Sequence, residues 1–103
     1  MQRLSKEQAD RIAGRARALG DPTRVRILDV LARAEQPVGR IAAALNCEAS
    51  AISKHLQVLF HAGLVERRRD ASAVIYSVVA TEVVGWCRYL AAPLLRAKSG
   101  GRS

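Results

Sequence analysis

A mainly helical domain carrying one small β-hairpin is the fold class that this 103-residue sequence predicts. Three observations point to it. Apolar residues recur at helical spacing from about Ser5 to His61, bounded by start and stop residues. The period then drops to two across 64–79, the pattern of strands with one buried face. A helical pattern resumes at Thr81. A chain of this length fits one domain, placed at 1–97, with 98–103 as a polar, Gly-containing disordered tail.

Each element has a local reason. Ser5 with Gln8 three residues on forms a capping-box pattern, which opens a first helix reaching about Leu19 with Ile12, Ala16 and Leu19 on one stripe. Gly20 suits its stop. Asp21-Pro22 starts a second helix, Asp as cap and Pro where no N–H is needed, running to about Ala34 with Val25, Ile27, Leu28 and Leu31 inward. Pro37 opens a short third helix, Val38 to Leu45, with Ile41, Ala42 and Leu45 facing the core. Asn46 tolerates the left-handed backbone of a tight turn. Glu48 or Ser50 caps a fourth helix reaching His61, which Gly63 ends. The strands are 64–68 and 73–79, with Val74, Tyr76 and Val78 on one face; the Arg69-to-Ser72 connection lacks Gly, so its turn type is not specified. Thr81 caps a last helix carrying Val83, Val84, Cys87, Leu90 and Leu94, which Pro93 kinks or ends.

Charge narrows the partner. Seventeen Lys and Arg against nine Asp and Glu leave a net +8, a potential that attracts polyanions, nucleic acid first and an anionic membrane surface second. The four aromatics, Phe60, Tyr76, Trp86 and Tyr89, are too few for the stacking platforms of single-strand binders. Duplex DNA read by a helix fits better. No apolar run approaches a membrane span, the N-terminus lacks the apolar stretch of a signal peptide, and the charges are spread over several elements rather than one amphipathic stripe. Two cysteines fit a reducing compartment, so the expected location is cytoplasmic.

Helix, helix, helix-turn-helix, hairpin, helix (α-α-α-α-β-β-α) is the order of a winged helix-turn-helix domain. Three blocks in order, Leu19-Gly20-Asp21-Pro22-Thr23-Arg24-Val25-Arg26-Ile27-Leu28, Ile52-Ser53-Lys54-His55-Leu56-Gln57-Val58-Leu59 and Ala62-Gly63-Leu64-Val65, resemble the ArsR/SmtB family of bacterial repressors. The resemblance covers about Arg15 to Val79. It implies a dimeric, sequence-specific repressor of double-stranded DNA.

The residues support that reading independently. On a helical wheel Ile52, Leu56, Leu59 and Phe60 of the fourth helix point inward, while Ser50, Ser53, Lys54, Gln57 and His61 point outward or to the flanks. A short polar face with one full charge suits a major groove: Gln pairs adenine bidentately, Ser pairs either partner type, and Lys pairs guanine or phosphate. His55 lies at the edge of the core stripe. In the resembling family that His accompanies the reading face, and a hydrogen-bonded structural role is equally open. Arg67, Arg68 and Arg69 run into the hairpin tip, where a wing contacts phosphates and supplies salt-dependent affinity rather than sequence information. The family's wing commonly has a glycine where this chain has Asp70-Ala71-Ser72.

Val83, Val84, Trp86, Cys87, Leu90 and Leu94 give the last helix more apolar circumference than one small core covers. Leu4, Ile12 and Ala16 of the first helix are the natural partners, and in the resembling family these terminal helices form a two-fold dimer. Such symmetry sets two reading helices about 34 Å apart on a palindromic operator.

Many family members release DNA on binding metal. The family's Cys-x-Cys positions are Pro37 and Gly39 here, and its last-helix Asp/His/Glu set is missing because 81–98 holds no His and only Glu82. His55 and His61 are six apart, the wrong spacing for one helical face. The expectation is no metal and no cofactor, with a soft metal ion held through Cys47 or Cys87 left open. Those cysteines are either small structural hydrophobes or a thiol-based switch released by modification. The alternatives to a specific repressor are a nonspecific DNA-architectural binder and a protein-binding winged-helix module. Nothing resembles a nucleophile–base pair, a phosphate-cradling loop or paired carboxylates, so an enzyme is not expected.

Overall fold

The computed structural model describes residues 2–79 and Gly85. In chain order it contains α1 (Lys6–Ala18), α2 (Pro22–Arg33), β1 (Gln36–Pro37), α3 (Val38–Leu45), α4 (Ala49–His61), β2 (Val65–Asp70) and β3 (Ala73–Val78). The last helix expected from Thr81, with Val83, Val84, Trp86, Cys87, Leu90, Pro93 and Leu94, and the 98–103 tail lie outside the described residues.

Among the described residues, the caps act where the sequence places them, with one exception. Ser5 Oγ accepts from the Gln8 amide at 3.0 Å, and Gln8 Oε1 accepts from the Ser5 amide at 2.8 Å, a complete capping box. Asp21 accepts from the Arg24 amide at 3.1 Å, with Pro22 in the first turn. Asn46 adopts φ 55°, ψ 49°, which turns the chain after α3. Gly63, at φ 77°, lets its own amide reach the Phe60 carbonyl and the Leu64 amide reach that of Leu59, closing α4; a side chain there would be strained. The exception is α4's start, where neither Glu48 nor Ser50 caps: Glu48 is the N-cap residue and makes no side-chain bond.

Ile27, Leu28 and Leu31 of α2, Ile41, Ala42 and Leu45 of α3, and Ile52, Leu56 and Leu59 of α4 meet in one core. Ala18, Leu64, Val65 and Tyr76 close it. Val25 does not join them and is 38% exposed. At about 100° per residue it sits roughly a third of a turn from the centre of the Ile27/Leu28/Leu31 face, too far round to reach the core. Phe60 is half-buried against the core edge.

The hairpin belongs to a three-stranded antiparallel sheet ordered β1-β3-β2, with β3 in the centre. β1 was not anticipated, because two residues including a proline carry no strand periodicity. It pairs Gln36 with Tyr76 and Pro37 with Ile75. Gln36 Nε2 also donates to the Ala34 carbonyl at 2.9 Å, helping to end α2, which has no terminal glycine. β2 runs two residues further toward the tip than expected, to Asp70, so that only Ala71 and Ser72 join the strands. Ala71 takes φ 56° and Ser72 does not turn positive, the sign pattern of a type II′ turn.

Candidate nucleic-acid interface

The α3–turn–α4 unit presents one face of α4 outward. Ile52, Leu56 and Leu59 are each 0% exposed and fix the opposite face in the core. Ser50, Lys54 and Gln57 are exposed, and Ser53 is half-buried beside them. Because Glu48 contributes no cap, the first amide N–H groups of α4 have no side-chain acceptor. That leaves the positive end of a helix dipole, with open donors, next to the polar face, an arrangement suited to phosphate oxygens.

His55 has a definite set of partners. Its side chain is 26% exposed and lies between Arg24 and Asp21, with Nδ1 3.3 Å from Arg24 Nη1 and 3.9 Å from Asp21 Oδ2. The ring thus stands within reach of both the guanidinium and the carboxylate. Arg24 also donates from Nε to the Ala18 carbonyl at 2.6 Å and from Nη2 to that of Arg17 at 3.3 Å. One arginine thus ties the C-terminal end of α1 to the middle of α4. The Asp21 carboxyl is held below its ordinary 3.8, chiefly by the Arg24 amide it caps. Partial desolvation opposes this, and the charges of His55 and Arg24 and the Thr23 amide add to it. The sequence marks Asp21 as a cap; its link to His55 spans α2 and α4 and has no local signature.

The arginine run does not form a single patch. Strand alternation sends Arg67 and Arg69 to the face shared with Val65 and Tyr76, and Arg68 to the other. Arg67 lies over the Phe60 ring, 3.9 Å from its centroid, which joins the base of the wing to the end of α4. Arg68 pairs with Glu35, just before β1, and more distantly with Asp70 at 4.0 Å. Arg69 has no carboxylate partner among the described residues. Glu35 does not stand out in the sequence, since its contact lies 33 positions away, and Phe60 reads there only as a core-facing residue, not as the seat of Arg67.

Cys47 lies in the turn, half-buried and packed against the core, its thiol donating to the Leu45 carbonyl at 3.4 Å. Cys87 falls outside the described residues. Among those described, no three His, Cys, Asp or Glu side chains gather as metal ligands, and no helix is long and apolar enough to cross a membrane. Leu4, just before α1, is 62% exposed, and on α1 Ile12 is 48% exposed and Ala16 is exposed as well.

The chain resembles known DNA-binding regulators. A helix-turn-helix domain model matches residues 19–68. An uncharacterised HTH-type transcriptional regulator of Mycobacterium tuberculosis is 38% identical over 68 residues, 65% of this chain; the match spans 60% of that regulator's length. A transcriptional repressor SmtB homolog from Synechocystis is 38% identical over 88 residues, 85% of this chain and 67% of the homolog. The homodimeric winged helix-turn-helix DNA-binding domain of a Mycobacterium bovis protein, solved by NMR, superposes with a TM-score of 0.81 at 28% identity, covering 100% of this chain and 98% of that one.

Proposed function

Because the chain belongs to the ArsR/SmtB family of winged helix-turn-helix transcriptional regulators, we propose that it is a homodimeric repressor that binds a palindromic operator in double-stranded DNA. The observation that carries this reading is α4 itself. Its inner face is pinned by three fully buried side chains, and its outer face offers Ser50, Ser53, Lys54 and Gln57 beside an uncapped N-terminus. Those side chains read base edges, and the open amides take a backbone phosphate. Arg67 and Arg69 approach the flanking backbone from the wing, and His55 stands at the edge of the reading face. A chromosomal operator puts its work in the cytoplasm. The exposed apolar residues Leu4, Ile12 and Ala16 form one half of the dimer contact.

For release, Cys47 packs in the turn that aims α4, so its modification by a persulfide, peroxide or soft metal would displace that turn. The test is fluorescence anisotropy on the duplex upstream of the chain's own gene against a scrambled duplex, using reduced and persulfide-treated protein. Preference for the own site, lost in Lys54→Ala and Gln57→Ala, supports specific repression; each good bidentate contact is worth about 1–3 kcal/mol of discrimination. Equal binding to both duplexes would reduce the protein to a nonspecific binder. Preference unchanged by treatment would make the cysteines structural.

A further inference from the structure

On the side of α1 turned toward α4 lies a cavity of about 610 Å³ lined by Arg11, Gly14, Arg15, Arg17 and Ala18 of α1, Arg24 of α2, and Val58, His61, Ala62 and Gly63 at the end of α4. We propose that this cavity is a binding site for a small molecule bearing a phosphoryl group or a comparable dianionic oxyanion.

Its charge is the first argument. Among the described residues, four arginines and a histidine line the space and no acidic residue does. Among the described residues, none of the four arginines is paired with a carboxylate; the carboxylates that do pair go to Lys6, Arg33, His55 and Arg68. Like charges converging on a concave space repel one another, and an anion relieves that repulsion while accepting their charge-assisted hydrogen bonds.

The way the cluster is held is the second argument. Arg24 is fixed by its bonds to the carbonyls of Ala18 and Arg17, so one cation stands in place before any ligand arrives. His61 Nδ1 lies 2.8 Å from the Gln57 carbonyl, which can only accept, so the ring is oriented by that bond and Nε2 is left for another partner. Gly14 and Gly63 keep the walls low: a Cβ at Gly14 meets nothing closer than Arg17 Nη2 at 3.8 Å, and one at Gly63 meets Arg15 Nη2 at 3.6 Å. An arginine tip therefore already lies close over the Gly63 backbone.

Volume and lining set the ligand class. The space exceeds what a bare phosphate fills and falls in the range of small-molecule sites. Val58, Ala62 and Ala18 add an apolar wall suited to an organic body behind the anionic head. The site is separate from the outward groups Ser50, Lys54 and Gln57, and it joins α1 to the far end of the same helix.

Inorganic pyrophosphate is the probe, titrated calorimetrically into the full chain at ionic strength held constant with sodium chloride. Saturable binding is expected, with amide shifts centred on Arg15, Ala62 and Gly63 in NMR spectra. The double variant Arg11→Gln/Arg15→Gln, altered at two exposed positions, should bind at least tenfold more weakly. The control Arg26→Gln/Arg33→Gln, with the same change in net charge on α2, should bind as the parent does. No saturable binding beyond that of chloride, or equal loss in both variants, would overturn the proposal. So would a duplex-binding deficit confined to Arg11→Gln/Arg15→Gln with a shallower salt dependence and no pyrophosphate binding, since the cluster would then serve DNA phosphates. Neither arm needs specific operator recognition, so the site and the repressor reading fail separately.

Discussion

α4 and the β2–β3 wing are both surface elements expected to meet DNA, but different forces hold them in place. α4 is set by apolar packing: Ile52, Leu56 and Leu59 are removed from water entirely, each contributing about 1.5–3 kcal/mol. That force is insensitive to salt and admits one orientation. β2 beyond Val65 has no such anchor; in the wing's other strand Tyr76 alone is buried, with Val74 and Val78 half-buried beside it. From Glu66 to Ser72 every residue is exposed, and its position depends on Arg67 over Phe60, on Arg68 with Glu35, and on a turn that forces Ala71 to positive φ. Exposed ion pairs contribute about 0–1 kcal/mol and weaken with salt. The element that would read sequence is therefore rigid, and the one that would follow the backbone is adjustable.

Leu59→Ala should produce the largest effect. Emptying a fully buried site in the core costs about 2–5 kcal/mol, measurable as a lower urea midpoint at unchanged slope. A loss under 1 kcal/mol would mean that α4 is not held by its core face. Asp21→Asn comes next and tests the polar bracket behind the same helix. Asn still caps, so the charge alone is removed. A carboxyl with a lowered folded value stabilises above its unfolded value of 3.8 and loses that contribution as the pH falls through the lower folded value. The parent should thus melt higher than the variant at pH 6, and the gap should narrow as the pH falls below 3.8. A gap independent of pH would remove charge from the account.

The contrast between the two regions also explains what the sequence revealed. Helix periods, caps and the Gly63 stop were legible because each is a local pattern along a single segment, and so were the outward positions of α4. The same locality misled at Val25, where an apolar residue beside the true stripe was counted with it, and at the start of α4, where Glu48 and Ser50 are good capping types that do not cap. β1 escaped notice because its two residues form a strand only through Tyr76 and Ile75, some forty positions away. Arg67, Arg68 and Arg69 read as one basic run, yet pleating divides them between two faces, one taken up by Phe60 and the other by Glu35. The arginine-lined cavity has the same origin, since helical spacing shows Arg11 and Arg15 on one side of α1 but not that α4 stands opposite.

At the wing tip, Ala71→Gly should stabilise the protein by up to about 1 kcal/mol. It removes the penalty an L-residue carries at positive φ, offset partly by the greater freedom of glycine in the unfolded chain. A higher thermal midpoint without a change in urea slope is the expected result. A lower one would mean that the Ala71 methyl is held by contacts stronger than the strain.

Glu35→Gln should change stability least and bears most directly on the wing. The pair it breaks is exposed on both sides, about half for each side chain, so the midpoint should move by less than about 1 kcal/mol. DNA binding should respond more. With Glu35 neutral, Arg68 is left only its distant contact with Asp70, and a cation otherwise compensated becomes available to the backbone. Affinity for duplex should rise at low salt, and the dependence of log K on log salt should steepen by about one counterion per protomer. Preference between own and scrambled duplex should stay the same, because a phosphate contact carries no sequence information. If preference shifts instead, the wing reads bases and the division of labour between rigid helix and adjustable hairpin fails. If neither affinity nor slope moves, Arg68 faces away from the DNA even when unpaired, and the wing's contribution falls to Arg67 and Arg69 on the opposite face of the strand.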